Sequence, residues 1–373
     1  MWLRPLPYTE ETADMEDLPL AGLTVFHSCA IIEMQFQFLK GGAEVENAHH
    51  KMVQGVLGPI PVEALGETLI HEHVVTCCDW SMRMALGKLY FEDTVIMQQA
   101  VAALKRARQQ GITTIVDGTP INLGRDIRMI QEAARQSGVN VIASSGFYHQ
   151  EEAVAGFKSE DELTSLVYRD CTQGMGDTDA LPGILKCAVD AKGFTPYVEK
   201  ILRVTARVST KAQLPIFCHT VPEIQPGDRL LDLFADYGVP MNAVVVGHCG
   251  DTDDLDYLER LLRRGCYIGL DRFGITGNNP ATTLEHRTRN LVELCRRGWG
   301  KQLLVSHDYA PYTGFWPDWD TVRQPEYFDG QPDYTYFYTE AVPRLQKLGL
   351  DNGSILALTK ENPGRFFMKA YGK

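Results

Sequence analysis

The sequence lacks the features that identify several large classes of protein. It has no apolar run near the roughly 18 residues that a membrane-spanning helix requires. It has no excess of basic residues either, since the net charge is -12 and the pI is about 5.3. Nucleic-acid-binding proteins usually carry a basic patch, and so do segments that bind acidic membranes. The composition therefore predicts neither nucleic acid nor membrane as a partner.

The cysteines are not arranged as a disulfide framework. There are nine of them, an odd number without CxxC spacing, and Cys187, Cys218 and Cys249 lie in apolar runs. Buried thiols of this kind are ordinarily reduced. The first 17 residues carry five acidic side chains, whereas a signal peptide begins with basic ones. We therefore expect a cytoplasmic protein.

The chain divides into two parts by its hydrophobic pattern. Residues 1–51 show no sustained period and are predicted to be an N-terminal extension of uncertain structure. From residue 52 to residue 373, short apolar runs alternate with segments of helical period, which predicts one large domain. Hydrophobic residues make up 44% of the chain, enough for a sizeable core. The runs are Thr68–His73, Thr113–Asp117, Val139–Ser144, Gly183–Val189, Pro215–His219, Ala243–His248, Tyr267–Asp271 and Leu303–Asp308.

These eight runs are typical of parallel strands that are buried on both faces. The segments between them have one apolar helical face and stop at glycine, as where Ile127, Ile130 and Ala134 precede Gly138. Eight strands that alternate with helices over about 300 residues predict an α/β protein with a (β/α)8 TIM barrel. The rival is an open doubly wound sheet, but no GxGxxG follows the first run.

Polar residues occur at corresponding places in the predicted strands. His71 and His73 are two residues apart, so in a strand they face the same side and Glu72 faces the other. The other members of the set are Lys186, His219, His248, His307 and Asp308. The C-terminal ends of barrel strands meet at the active-site face, and imidazoles and carboxylates are metal ligands. Each histidine alone equally fits a structural role, so the shared position predicts the metal centre.

Strand alternation selects between the two polar neighbours at the end of the last run. Continuing from Leu304 through Ser306 in steps of two predicts that Asp308 faces the barrel interior and His307 faces outward. The remaining histidines follow no strand end and are predicted to have no role in the site: His27, His49, His50, His149 and His286.

Lys186 lies inside an apolar run, where a lysine is unusual unless its charge is paired. One interpretation is an ammonium group that reaches a carboxylate at the barrel mouth. The other is that burial lowers the pKa of the lysine, so that the neutral amine is nucleophilic. Such an amine combines with carbon dioxide to give a carbamate, which can bridge two metal ions through its oxygens.

Together these residues resemble the ligand set of the amidohydrolase superfamily. They are most similar to the phosphotriesterase family, which includes the phosphotriesterase-like lactonases. The resemblance covers about residues 52–370. The segments that carry it are Gly66–His73, Thr114–Thr119, Gly124–Asp126, Ile268–Gly274, Ser306–Tyr309 and Glu361–Phe367.

The resemblance implies a binuclear metal centre. His71, His73 and Asp308 would hold the more buried ion, and His219 and His248 the more exposed one. Carbamylated Lys186 and a hydroxide would bridge the two divalent ions. Zinc is expected, although cobalt, manganese and iron also suit imidazole ligands. The resemblance further implies that Asp308 moves the proton of the attacking water, and that the protein is a homodimer.

The implied function is hydrolysis of a small lactone or ester, such as an N-acyl homoserine lactone, with side activity on phosphotriesters. Arg272 and Tyr148 resemble lactonase pocket residues. An aromatic-rich loop at 309–338 either lines an acyl-chain tunnel or packs on the barrel or a dimer partner. The alternatives are an organophosphate triester hydrolase, an amidohydrolase acting on a small N-acyl amide, and a barrel that binds metal without turnover. The loop aromatics are Tyr309, Tyr312, Phe315, Trp316, Trp319, Tyr327, Phe328, Tyr334, Tyr336, Phe337 and Tyr338.

Overall fold

The computed structural model describes residues 51–77, 80–276, 279–314, 328–329 and 333–371 of the chain. The predicted N-terminal extension, apart from Lys51, lies outside these described residues. So do four of the predicted loop aromatics, which are Phe315, Trp316, Trp319 and Tyr327. Within the described ranges, no helix is long and apolar enough to cross a membrane.

The strands of the described residues form a small hairpin and a large parallel sheet. The antiparallel hairpin consists of β1 (Met52–Gly55) and β2 (Gly58–Pro61). In the eight-stranded sheet every strand pairs in parallel with its neighbours in the chain. Its strands are β3 (Glu67–Glu72), β4 (Ile112–Asp117), β5 (Asn140–Gly146), β6 (Ile184–Val189), β7 (Ile216–Thr220), β8 (Val244–Val246), β9 (Tyr267–Leu270) and β10 (Leu303–Val305).

Hydrogen bonds between the ends of β3 and β10 bring the first and last strands of this sheet together. The amide of Asp308 donates to the carbonyl of His71 (3.2 Å), and the amide of His73 donates to the carbonyl of Tyr309 (2.9 Å). These contacts make the sheet a nearly closed barrel. The predicted (β/α)8 barrel is therefore confirmed, and the open doubly wound sheet is excluded.

Helices alternate with the barrel strands and end where the sequence predicts. Gly138, for example, follows α3 with a left-handed φ of 71°, a conformation that glycine adopts without a steric penalty. The helices are α1 (Trp80–Leu86), α2 (Asp93–Gln109), α3 (Ile127–Ser137), α4 (Ala153–Phe157), α5 (Glu160–Gln173), α6 (Pro196–Ala212), α7 (Gly227–Asp236), α8 (Leu255–Arg263), α9 (Leu284–Arg296), α10 (Val342–Lys347), α11 (Asn352–Leu356) and α12 (Asn362–Lys369).

Apolar side chains fill the N-terminal half of the barrel interior. We call this end the floor and the C-terminal end the mouth. The hairpin and α12 cover the floor, and the ring of Phe366 packs 5.2 Å from that of Tyr267. The floor residues are Val53, Val62, Leu65, Ile70, Val116, Ile142, Ile184, Phe217, Val245, Tyr267, Leu304, Phe366 and Phe367. Because the floor is closed, ligands have access to the barrel interior from the mouth.

An irregularity in β3 sets the direction of the first histidine. Leu69 pairs with Ile115 and Glu72 pairs with Asp117, so β3 has one residue more than β4 over this stretch. Such a β-bulge re-aims side chains. Leu69 packs outside the barrel, whereas Ile70 packs on the floor. The extra residue lets His71 face the interior as well, next to Ile70 in the chain.

Candidate metal centre

His71 lies at the centre of a buried polar cluster in the mouth. Its Nδ1 is 2.6 Å from Oδ2 of Asp271, and its Nε2 is 2.6 Å from Nζ of Lys186. Burial and the charge of Lys186 together lower the pKa of His71 to about 3, although Asp308 and Asp271 oppose this shift. The imidazole is therefore neutral. A proton on Nδ1 can donate to the carboxylate of Asp271, and the lone pair of Nε2 then faces Nζ of Lys186, where it could bind a metal ion.

Asp308 joins the two histidines of β3. Its Oδ1 is 3.1 Å from Nε2 of His73 and 3.5 Å from Nε2 of His71. Burial alone would raise the pKa of Asp308, but His71 and Arg272 hold it well below its usual value. The ligand atoms of His71, His73 and Asp308 all lie within 4.8 Å of one another, close enough to share one metal ion.

Asp308 reaches the cluster through a backbone turn. β10 ends at Val305, and Asp308 has a left-handed φ of 56°. The strand therefore does not continue to Asp308, contrary to what the alternation predicted. The side chain of Asp308 nevertheless faces the barrel interior and lies in the cluster. His307 lies outside the interior, where its Nδ1 is 2.6 Å from Oε1 of Glu72 and its Nε2 accepts from the amide of Phe337 (2.9 Å).

Glu72 stabilises the junction between β3 and β10. Its Oε1 accepts from the hydroxyl of Ser306 (2.7 Å) and the amide of His307 (2.9 Å), and its Oε2 accepts from the amide of Tyr309 (2.9 Å). Glu72 thus lies on the face opposite His71 and His73. It fixes the chain on both sides of Asp308.

Lys186 is 1% exposed, and its Nζ lies 4.6 Å from the centre of the Phe217 ring. Burial lowers the pKa of Lys186 to about 8, while Asp308 and Asp271 oppose the shift. Its hydrogen-bond partner is the imidazole of His71. A Cβ at Gly118 would overlap the His71 ring and lie 3.3 Å from Nζ, so glycine is required beside this pair. The carbamate of Lys186 stays a prediction.

His219 and His248 face each other across the mouth, with Nδ1 of His219 2.7 Å from Nε2 of His248. Their other nitrogens lie beside carboxylates. Nε2 of His219 is 2.9 Å from Oδ2 of Asp190, and Nδ1 of His248 is 3.0 Å from Oδ2 of Asp271. The facing nitrogens lie at hydrogen-bond distance, Nδ1 of His248 is buried without a hydrogen bond, and two imidazole nitrogens this close together are also suited to binding one cation. This donor set therefore fits a metal ion.

Asp271 is a site residue that the sequence patterns did not single out. Its Oδ2 contacts both His71 and His248, and its Oδ1 accepts from the amide of His248 (2.6 Å). Burial would raise the pKa of Asp271, but His248 and His71 lower it, so the carboxylate stays ionised. Asp271 thus orients one histidine from each predicted metal position. Its place two residues after Gly269 on β9 is the signal that could have identified it.

Two residues after β5 lie beside His219. The hydroxyl of Tyr148 is 3.1 Å from Nδ1 of His219, and the amide of Tyr148 donates to Oδ1 of Asn122 (2.6 Å). His149 stacks on the ring of His219 at 6.0 Å, and its Nε2 is 3.5 Å from Asp190. The prediction that His149 has no place at the site is wrong, because β5 ends at the mouth and His149 follows it closely in the chain.

The other histidines without a predicted role lie elsewhere. His286 pairs with Asp253 on the surface, at 3.3 Å. His27, His49 and His50 lie outside the described residues.

Arg272 connects the cluster to a second carboxylate. Its Nε donates to Oδ2 of Asp308 and its Nη1 to Oδ2 of Asp251, both at 2.9 Å. Burial would lower the pKa of Arg272, but Asp251 and Asp308 raise it above its ordinary value. The guanidinium is therefore charged at every accessible pH.

Comparison with known proteins gives one family and several similar proteins. The model of the phosphotriesterase family matches residues 51–367. A phosphotriesterase homology protein of Mycobacterium tuberculosis is 31% identical over 325 residues, which are 84% of this chain and 97% of that protein. An aryldialkylphosphatase of Saccharolobus solfataricus is 32% identical over 308 residues, 81% of this chain and 95% of that one. An N-acetyltaurine hydrolase of Salmo salar is 25% identical over 353 residues, 84% of this chain and 97% of that one.

Proposed function

The chain belongs to the phosphotriesterase family and is a hydrolase, and we propose that it opens lactones at a binuclear metal centre. The observation that carries this proposal is that two histidines and an arginine all contact the carboxylate of Asp308. Oδ1 of this carboxylate lies near Nε2 of His71 and Nε2 of His73, while Oδ2 accepts from Arg272. One side chain thus faces ligand atoms with one oxygen and a charged donor with the other.

The proposed ligands form two groups. His71, His73 and Asp308 would hold one divalent ion, and His219 and His248 would hold the other. Zinc is the proposed metal, with cobalt, manganese or iron as alternatives. When bound, the two ions lower the pKa of a water molecule that becomes the nucleophile, and they polarise the carbonyl or phosphoryl oxygen of the substrate.

Lys186 supplies the proposed bridge between these groups. Its unprotonated Nζ attacks the carbon of dissolved carbon dioxide, a nitrogen–carbon bond forms as one carbon–oxygen π bond opens, and the proton lost from the nitrogen passes to solvent. The product is a carbamate whose two oxygens replace the amine. The pKa of the buried amine, which burial lowers to about 8, supports this step, because it increases the unprotonated fraction of Lys186 near neutral pH.

The proposed proton transfer belongs to Asp308. Since Oδ1 faces the imidazoles, Oδ2 is the atom that takes the proton of the attacking water and returns it to the leaving group. Arg272 keeps this oxygen oriented and ionised. Tyr148 and Arg272 donate to the oxygens of the substrate, and a partly exposed guanidinium (23%) supports this role.

The preference for lactones is tested with purified, metal-reconstituted protein. We expect lactones of increasing acyl length to have a higher kcat/KM than a paraoxon-type triester or an N-acyl amino acid. A lactone rate equal to the uncatalysed rate would overturn the lactonase assignment. Turnover of the triester or the amide alone would establish the second candidate, a triester hydrolase or an amidohydrolase, which the similarity to an aryldialkylphosphatase and an N-acetyltaurine hydrolase favours. No turnover of any class would leave a metal-binding barrel without activity.

We also propose a homodimer in the cytoplasm. The dimer is supported by apolar side chains that α1 and the following turn expose, among them Met84 (83%) and Leu89 (85%). The location is supported by buried thiols such as Cys187 and Cys249. Analytical ultracentrifugation tests the dimer, and fractionation of the native cells tests the location.

A further inference from the structure

Arg287 on α9 is a buried arginine with no part in the proposed chemistry. It is 3% exposed. Its Nη1 lies 2.8 Å from Oδ1 of Asp251, its Nη2 donates to the carbonyl of Ile275 (2.8 Å), and its Nε donates to the carbonyl of Thr282 (2.9 Å). One guanidinium therefore joins the segment after β8 to the segment after β9.

A glycine leaves the space that the guanidinium of Arg287 occupies. A Cβ at Gly250 would lie 2.8 Å from its Nη1, so a larger residue there would displace the guanidinium. Against the effect of burial, the charges of Arg287 and Arg272 and a hydrogen bond from Arg272 hold the pKa of Asp251 below its usual value. Asp251 is therefore an ionised carboxylate between two arginines.

The four residues form a chain of alternating charge that ends in the metal centre. Arg287 contacts Asp251, Asp251 contacts Arg272, and Arg272 contacts Asp308, at 2.8, 2.9 and 2.9 Å. A carboxylate that loses one of two cationic partners attracts the other more strongly. Without Arg287, Asp251 would draw the guanidinium of Arg272 away from Asp308.

We propose that Arg287 is a positioning residue for the hydrolytic reaction. By holding Asp251 and the carbonyl of Ile275, it sets where Arg272 lies, and through Arg272 it sets the orientation of Asp308. This inference rests on the proposed function, which gives Arg272 and Asp308 their roles. Arg287 itself touches neither the proposed ligands nor the substrate.

The test is a double-mutant cycle in metal-loaded protein. Arg287→Gln is expected to lower kcat/KM about tenfold for the best substrate of the lactone, triester and amide panel. In the Arg272→Ala background, the same change is expected to lower kcat/KM less than about twofold, because the residue it acts through is gone. Arg287→Lys keeps the charge but loses the planar fork, so we expect partial rescue. Equal losses in both backgrounds would overturn the proposal.

Arg125 provides a matched control. It is also buried, its Nη2 pairs with Asp170 (2.9 Å) and its Nη1 donates to the carbonyl of Ser144 (2.9 Å). Arg125→Gln should lower the unfolding midpoint in urea without coupling to Arg272. If Arg125→Gln shows the same coupling in kcat/KM, the effect is a general loosening of the barrel and the proposal fails.

A readout without substrate separates this inference from the proposed function. The unfolding midpoints of Arg287→Gln, Arg272→Ala and the double variant are compared. Non-additive shifts support the positional coupling even if no substrate is turned over, a result that would refute only the proposed function. Additive shifts overturn the coupling. If Arg287→Gln does not fold, Asp251→Asn breaks the chain one residue later and is measured in the same two backgrounds with the same expected outcomes.

Discussion

The floor and the mouth of the barrel both contain fully buried side chains, but of opposite kinds. Phe366 on the floor and Asp271 and His248 in the mouth are all 0% exposed. Burying an aromatic ring stabilises the fold by about 25 cal/mol per Å² of apolar area. Burying an ionised carboxylate is unfavourable unless partners replace the lost water. The mouth therefore depends on paired contacts, whereas the floor depends on contact area.

The residues that stabilise the fold therefore lie at one end of the barrel, and the residues proposed for the chemistry lie at the other. The floor is covered by the β1–β2 hairpin and α12, and its side chains make apolar contacts. In the mouth, Asp271 and Asp308 each contact two histidines, and glycines such as Gly118 leave room for these contacts. Substitutions in the mouth should change activity more than stability, and those on the floor should do the reverse.

The largest expected effect is that of Asp308→Asn in the mouth. The amide keeps the shape of the side chain but cannot accept the proton or carry the negative charge. We expect kcat/KM to fall about 10³-fold, or about 4 kcal/mol. The loss of unfolding free energy should be smaller than this. Asp170→Asn is the matched control, since Asp170 is buried and paired with Arg125 (2.9 Å) away from the cluster. Similar activity losses in both variants would refute the role of Asp308.

Phe366→Ala tests the floor. Removing a fully buried ring that packs against Tyr267 is expected to lower the unfolding free energy by about 3–5 kcal/mol. Activity per folded molecule should change less than about twofold, because the mouth keeps its contacts. Urea unfolding and kcat/KM measure the two effects. Phe157→Ala is the control, since that ring is 93% exposed and its removal should leave stability unchanged.

Most of the fold could be predicted because buried parallel strands are apolar on both faces. The run Thr113–Asp117, for instance, corresponds to β4 at Ile112–Asp117. Where the prediction ran too long, tertiary contacts end the strand early. The run Ala243–His248 corresponds to β8, which stops at Val246, and His248 takes a φ of 61°. No local sequence pattern predicts the turn at His248.

The direction of the site residues was less predictable than their position in the chain. A strict period of two fails at the β3 bulge before His71 and again at Asp308, whose amide bonds to the carbonyl of His71 across the barrel junction. Both irregularities depend on a strand that is distant in sequence. Asp271 was missed for the same reason, because its importance comes from contacts with His71 on β3 and His248 after β8, both distant in sequence.

Lys186→Ala tests whether the mouth is organised around a metal. We expect metal content to fall and kcat/KM to drop about 10²-fold, because the proposed bridging ligand is lost. A short carboxylate such as propionate should restore part of both. Elemental analysis after gel filtration measures the metal. Full metal content in the variant would contradict the carbamate proposal.

Glu72→Gln tests the boundary of the mouth, where a buried carboxylate accepts bonds from Ser306, His307 and Tyr309. The NH2 group of glutamine cannot accept a hydrogen bond, so at least one of these three donors would lose its partner. The unfolding free energy should therefore fall by about 2 kcal/mol. Because Asp308 lies between His307 and Tyr309, kcat/KM should also fall, by about tenfold. Glu132→Gln, at a half-exposed position on α3, is the control and should change neither quantity. A loss of stability with unchanged activity would place Glu72 with the floor.

Tyr148→Phe has the smallest expected effect. It tests whether one hydroxyl in the mouth contributes to stability or to activity. Its hydroxyl is 3.1 Å from Nδ1 of His219, the nitrogen that we assign to a metal. In metal-free protein the lost hydrogen bond should lower the unfolding free energy by about 1 kcal/mol. In metal-loaded protein the hydroxyl is proposed to donate to the substrate instead. Its removal should then lower kcat/KM about fivefold, which corresponds to about 1 kcal/mol, with little loss of unfolding free energy. Tyr334→Phe is the control, since its hydroxyl donates to the carbonyl of His73 (2.8 Å) and should contribute equally in both forms. An equal stability loss with and without metal for Tyr148→Phe would make Tyr148 a structural residue like Tyr334.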